Sequence, residues 1–182
     1  MSPVKSGEPV GPIPDGADPV EYDKLRRRVL WTMPSGLYVI GSRSGDRRNA
    51  MTANWVTQVS SEPKVVAVSV EREALTHELI TGGRCFSVNI VDREDRAIVR
   101  KFTKPVSVDE AARTLNELAF HDGVSGAPVL DQAVAWVDCR LSSSVDVGSH
   151  TLFLGEVIAA GFHKPEDTPV LRMEDTRMNY GG

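Results

Sequence analysis

The spacing of apolar positions changes along the chain. Tyr22, Leu25, Val29 and Leu30 fall near helical spacing. Asp18-Pro19-Val20-Glu21 just before them can cap a helix, with Pro19 at the first helical position and Glu21 three residues after Asp18. A helix is therefore expected from about Pro19 and should end before Pro34. Beyond Pro34-Ser35-Gly36 the period becomes two, and Leu37 to Ser42 reads as a strand closed by a Ser44-Gly45-Asp46 turn. Met51, Ala53, Trp55, Thr57 and Val59 are expected on one face of a second strand, interrupted at Glu62-Pro63, and Asn54, Val56, Gln58 and Ser60 on the other. Lys64 to Val70 is β-branched and reads as a third strand. Leu75, Leu79 and Ile80 mark a short helix stopped by Gly82-Gly83, and Cys85 to Val91 is a fourth strand. Helices are expected after Asp92, carrying Ala97, Ile98 and Val99, and again near Asp109 to Leu118. Strands return at Ala135 to Leu141 and Thr151 to Ala160.

Six or so strands, mostly joined by turns, point to an antiparallel barrel with peripheral helices rather than a doubly wound parallel sheet. The first eighteen residues differ in kind. Pro3, Gly7, Pro9, Gly11, Pro12, Pro14 and Gly16 alternate with small and polar residues, a composition that buries too little to offset its ordering entropy. The expected organisation is a flexible tail over 1–18 and one domain over 19–182.

Composition narrows the class. With 182 residues, 41% hydrophobic and 25% charged, the chain is long enough to bury a core without a staple. A net charge of −4 argues against nucleic acid as the main partner. No apolar run is long enough to cross a membrane as a helix, and the N-terminus lacks a charged-then-apolar leader pattern, so a cytoplasmic location is expected. Cys85 and Cys139 lack metal-ligand spacing and read as buried free thiols. His77, His121, His150 and His163 form no helical zinc pair, so no metal is expected. The absence of a Gly-x-Ser-x-Gly elbow disfavours one hydrolase class. Gly82-Gly83 ends a helix rather than starting one, which removes a dinucleotide or phosphate-loop reading.

Three segments carry candidate chemistry. Asn49 to Ser60 is rich in hydroxyl and amide side chains, as expected either of an exposed sheet face or of a strand along which a polar planar ligand lies. Thr76 and His77 open a short helix whose free N–H groups suit an anion, although Thr there also serves as a cap. Gly148-Ser149-His150 places an imidazole at the mouth of a strand, with Gly148 and Gly155 permitting close approach to the backbone. The cationic runs Lys24 to Arg28 and Arg47-Arg48 read first as solvated surface.

In their chain order these segments resemble the flavin reductase-like, FMN-binding split-barrel family. Met33 to Ile40 is similar to its opening strand. Asn49 to Ser60 with Glu62-Pro63 resembles its N-G-M-T-A core, Gly82 to Asn89 its following strand, and Gly148 to Val157 its G-D-H signature. The likeness spans about Val29 to Gly161. It implies a six-stranded antiparallel Greek-key split barrel, working as a homodimer. The implied function is hydride transfer from NADH or NADPH to FMN, with FAD possible as substrate. The protein would then be a flavin reductase, such as the reductase component of a two-component monooxygenase. A flavoredoxin-like FMN electron carrier, reduced by a protein partner, is the alternative, and a haem-binding pocket is a third.

Carried onto this chain, the resemblance puts Asn49, Ala50, Met51, Thr52 and Ala53 along the flavin ring edge, with Pro34 and Ser35 bordering it. Ser60, Thr76 and His77 would lie near the phosphate, His77 as a protonated or hydrogen-bond-donating imidazole. His150 would stand at the nicotinamide side as the catalytic candidate. The chain departs from the pattern with Ala50 for glycine, Ser149 for aspartate, Lys64 after Pro63 and a large Trp55, which is expected to pack in the barrel. Arg47 and Arg48 are the best-placed cations for a ribose 2′-phosphate.

Overall fold

The computed structural model describes residues 11–103 and 105–176. Part of the expected tail, residues 1–10, lies outside them. Residues 11–34 pack as one unit and Ser35–Thr176 as a second, so the packing divides the chain at Pro34 rather than at residue 18. In the first unit, helix α1 (Pro19–Leu30) starts where the capping signature predicts, and the Asp18 carboxylate accepts the Glu21 N–H at 2.9 Å. Its cations are paired along the helix, Lys24 with Glu21 and Arg26 with Asp23. They behave as a solvated face rather than as a phosphate site.

The second unit is mainly antiparallel β. It contains β1 (Tyr38–Ser44), β2 (Arg47–Ala53), β3 (Val56–Ser61), β4 (Lys64–Glu71), helix α2 (Leu75–Gly83), β5 (Cys85–Ile90) and helix α3 (Ala97–Lys101). These are followed by β6 (Val108–Asp109), β7 (Thr114–Leu115), β8 (Leu118–Asp122), β9 (Pro128–Leu130), β10 (Ala135–Asp146), β11 (His150–Phe162) and a 3-10 turn at Met173–Asp175. The main sheet has the order β2-β1-β5-β10-β11-β4-β3, and a second sheet has the order β6-β7-β8-β9. The expected class stands, with seven strands in the main sheet rather than six.

The strand order itself requires curvature. β2 and β3 are the two edges of the main sheet, yet only Asn54 and Trp55 separate them in the chain. Three Cα–Cα steps reach at most about 11 Å, whereas seven flat strands would hold their edges about 29 Å apart. The sheet therefore curls until its edges meet at one corner. β2 and β3 form no ladder with each other, so the barrel stays split along that seam. The single strand expected over residues 51–60 is broken at this corner.

Alternation sets the core. Ile40, Val68, Val70, Phe86, Val88, Cys139, Leu141 and Phe153 face the interior, and α2 adds Ile80. Gly155 is required by this packing. A Cβ there would lie 2.5 Å from carbons of the Phe86 ring and 2.8 Å from the Cys139 Cβ. This glycine admits an aromatic core residue, not a ligand as the motif suggested. Both cysteines are buried and unpaired. Cys85 sits opposite Arg140, whereas Cys139 sits opposite Phe86, so their side chains point to opposite faces of the sheet. Burial pushes the Cys139 thiol up to about 12.

Two helical expectations change. The segment near Asp109 to Leu118 forms β6, β7 and the start of β8. Arg113, Asn116 and Glu117 take left-handed backbone conformations, and the Asn116 amide binds Ser107 N–H and Lys101 C=O. Helix propensity yields there to turn chemistry. After Asp92 the carboxylate receives Glu94 N–H in a turn, and α3 begins only at Ala97. Among the described residues no helix is long and apolar enough to cross a membrane.

Gly155→Ala is expected to overpack the core at a cost of about 1–3 kcal/mol. Thermal unfolding should show it as a loss of roughly 2–4 °C in Tm per kcal/mol. An unchanged Tm would contradict the packing described.

Candidate functional site

β2 is held on one side only. It pairs with β1 from Arg47 to Ala53, and Thr52 turns the other way, donating its N–H to Phe102 C=O at 3.1 Å and its hydroxyl to Val99 C=O at 2.6 Å. In an antiparallel ladder every second residue directs its N–H and C=O to the same side. Ala50 and Arg48 therefore also direct their main-chain groups away from β1, along the edge that carries no further strand. The side chains do other work. Met51 and Ala53 pack against the barrel core, and Ala50 and Thr52 are buried. The Asn49 amide donates to the Thr76 hydroxyl at 2.9 Å, and both residues are buried.

Thr76 is thus neither a cap nor open to a ligand through its side chain. The cap position of α2 is Ala74, which offers no side-chain acceptor. His77 N–H bonds Ala74 C=O at 3.0 Å, so no side chain covers the first N–H groups of the helix. The His77 ring meets the Thr151 hydroxyl at 2.8 Å through Nε2 and lies 5.0 Å from the Phe153 ring. Burial, with the nearby Arg72 charge adding to it, lowers its pKa. Near neutral pH it is a neutral imidazole, which corrects the cationic half of the expectation.

His150 belongs to a different cluster. Thr151 and Phe153 share one face of β11, and His150 points from the other. Its Nδ1 meets the Ser149 hydroxyl at 2.8 Å, and its ring meets the Trp55 indole edge-on at 5.0 Å. Trp55 is 44% exposed, so it does not pack in the barrel as expected. It stands at the seam corner, where Ser69 N–H binds its carbonyl and Val56 N–H binds Asn54 C=O, each at 3.0 Å. The turn before His150 is braced by an Arg72–Asp146 ion pair and by Arg72 N–H bonded to Ser149 C=O at 3.1 Å.

The remaining expected residues are scattered. Ser35 accepts Met173 N–H at 3.0 Å, while Pro34 falls in the other unit. Ser60 lies on β3 at a bulge, its carbonyl bonded by the Gln58 amide at 3.0 Å. Arg47 pairs with Glu78, and Arg48, with its side chain only 7% exposed, pairs with Glu110 and Asp122. Neither is an idle cation. Among the described residues no His, Cys, Asp and Glu side chains gather as a metal site. Sequence reasoning missed Thr151, Arg72 and the exposure of Trp55. The two-residue period through Thr151 and Phe153 carried the first, but the seam corner that exposes Trp55 is a property of the closed barrel.

The structure thus holds an edge strand, a helix start without a side-chain cap and a Trp55–His150 ring pair on a curled antiparallel sheet. Residues 30–181 match the Flavin reductase like domain, and the chain belongs to that family. It is 32% identical over 163 residues to an NADH-dependent FAD reductase of Streptomyces globisporus, spanning 88% of this chain and 84% of that one. It is 33% identical over 138 residues to the high molecular weight rubredoxin of Moorella thermoacetica, covering 73% of this chain and 58% of that longer protein. The solved Streptomyces globisporus C-1027 NADH:FAD oxidoreductase in complex with NAD and FAD fragments superposes with a TM-score of 0.71 at 31% identity, covering 87% of this chain and 92% of that one.

Folded His77 takes up its proton less readily than an unfolded histidine, which titrates near about 6.5. The unfolded chain then binds more protons just below that pH. The contribution of His77 to stability is full above it and is lost as the pH falls through that window. Urea midpoints between about pH 8 and 5 should fall less steeply for His77→Gln than for the unaltered protein; equal slopes would contradict the assignment.

Proposed function

We propose that the protein is an NAD(P)H-dependent flavin reductase, taking hydride from a nicotinamide nucleotide to FMN or FAD. The observation that carries this reading is the 32% identity to an NADH-dependent FAD reductase across 88% of the chain. The residues present fit a flavin. We assign the polar ring edge to the side of β2 that carries no strand, around Ala50 and flanked by Asn49, Met51, Thr52 and Ala53. We assign the phosphate to the positive dipole end of α2, near Thr76 and His77, where no side chain caps the helix start. Ser35 and Ser60 are the further polar residues we assign to this surface.

A bound flavin supplies the two-electron acceptor, so hydride transfer needs no protein base. The chain's own residues bind and orient. We assign His150 to the nicotinamide side, where an imidazole nitrogen can hold the carboxamide in line with the acceptor. With Arg47 and Arg48 already neutralised by carboxylates, a ribose 2′-phosphate would find no idle cation at either, which favours NADH over NADPH. The working form we propose is a cytoplasmic homodimer. Leu152 and Leu154 alternate with core-facing Phe153 and so present apolar side chains outward, which supports a self-association face. The reduced flavin would pass to a monooxygenase or another acceptor.

The 33% identity to a high molecular weight rubredoxin favours a second reading, an FMN electron carrier reduced by a protein partner. Anaerobic stopped-flow reduction, followed by loss of flavin absorbance, separates the two. Fast reduction by NADH, slower by NADPH, and steady turnover with added flavin are expected of the reductase. Tight yellow protein with slow reduction by either nucleotide supports the carrier. Inertness with FMN, FAD and both donors rejects the reductase.

A further inference from the structure

Trp55 and Ser149 both engage His150 through their side chains. The indole is a large apolar side chain left 44% exposed at the seam corner. Its backbone is fixed there on both sides, by Ser69 N–H on its carbonyl and by the Asn54–Val56 turn. From that position its ring meets the imidazole edge-on at 5.0 Å, a favourable aromatic geometry. The Ser149 hydroxyl meets Nδ1 at 2.8 Å. Ser149 is itself held through its carbonyl by Arg72 N–H, and the turn is closed by Val147 N–H on His150 C=O and by Gly148 N–H on the Asp146 carboxylate. The charged groups around the ring are Glu71, directly across the ladder from His150, and the Arg72–Asp146 pair. Among the described residues Nε2 makes no hydrogen bond.

A ring nitrogen's role follows from what its partner nitrogen does. An acceptor at Nδ1 that receives a hydroxyl proton leaves the imidazole hydrogen on Nε2. We propose that Trp55 and Ser149 are positioning residues that act through His150: Ser149 donates to Nδ1 and selects the Nε2–H tautomer, and Trp55 holds the ring plane, so that an N–H donor is presented to a carbonyl-bearing planar ligand. Under the reductase reading, on which this rests, that ligand is the nicotinamide carboxamide. A hydroxyl does this without the negative charge a carboxylate would place beside a dinucleotide that is itself an anion.

Two readouts test it, one independent of turnover. Long-range proton–nitrogen NMR spectra of the full-length protein, with His150 assigned by loss of its signals in His150→Gln, should show the Nε2–H tautomer, and Ser149→Ala should convert it to a mixture. In the reductase assay, Ser149→Ala and Trp55→Ala should raise KM for NADH about fivefold or more, with kcat within roughly twofold, and Trp55→Phe should restore KM. Tm of each variant shows that it is folded. An Nδ1–H tautomer in the unaltered protein, or KM unchanged in both variants, overturns the proposal. No NADH oxidation by the unaltered protein would instead sink the reductase reading, while the tautomer still decides whether the Ser149–His150 pair is built as described.

Discussion

Everything else in the second unit depends on one constraint of chain length. Two residues, Asn54 and Trp55, join strands that lie at opposite edges of a seven-stranded sheet. That link cannot be satisfied by a flat sheet, so curvature is imposed before any side chain is considered. Once the sheet curls, the period-two residues of β1, β4, β5, β10 and β11 converge on one interior, and the hydrophobic term follows from that geometry. The same link leaves β2 without a second neighbour. The seam is therefore the by-product of closing the barrel through a connection too short to carry another strand.

Buried polar ties then fasten the smaller sheet and the helices to this barrel. Asn89, fully buried, donates to Val39 C=O and the Ser87 hydroxyl and accepts Leu130 N–H, while Ser87 donates to Pro128 C=O. Removing one partner would strand the others away from water, at about 1–3 kcal/mol for each unsatisfied group. Arg48, its side chain largely covered, does a similar job, bridging Glu110 and Asp122 and lying over Phe120. The Asn49–Thr76 bond locks α2 onto β2. Residues that look like ligand contacts in the sequence are in part the fasteners that put main-chain groups in place.

That explains which features were legible in the sequence. The helix cap at Asp18, the strands Tyr38–Ser44, Lys64–Glu71 and Cys85–Ile90 and the two buried thiols follow from local patterns, and the structure has them. So does the family, through ordered motifs that survive as short strings. The segment near Asp109 to Leu118 was illegible because its turns rest on left-handed Arg113, Asn116 and Glu117, conformations that propensity does not encode. Trp55 was misplaced because size alone sends an indole inward, and only the closed barrel shows that the seam corner has no interior to offer. Thr76 and His77 were rightly seen at a helix start. Their partners, Asn49 and Thr151, come from distant strands that no spacing rule connects to them. His77 reaches the face of β11 that carries Thr151, whereas His150 points from the other face, through the parity of that strand.

The open edge of β2 has a consequence for divergence. The ladder with β1 is made by the peptide backbone, which every amino acid carries, so Ala50 in place of a glycine of the family pattern leaves that pairing unchanged. Drift in side-chain identity along such an edge is nearly silent as long as β1 keeps its register. Under the proposed reading, selection for one ligand over another acts where side chains reach outward, at the corner and at the turn of the long hairpin. A scaffold of this kind separates inheritance of a general affinity from tuning of preference, and the two can change at different rates.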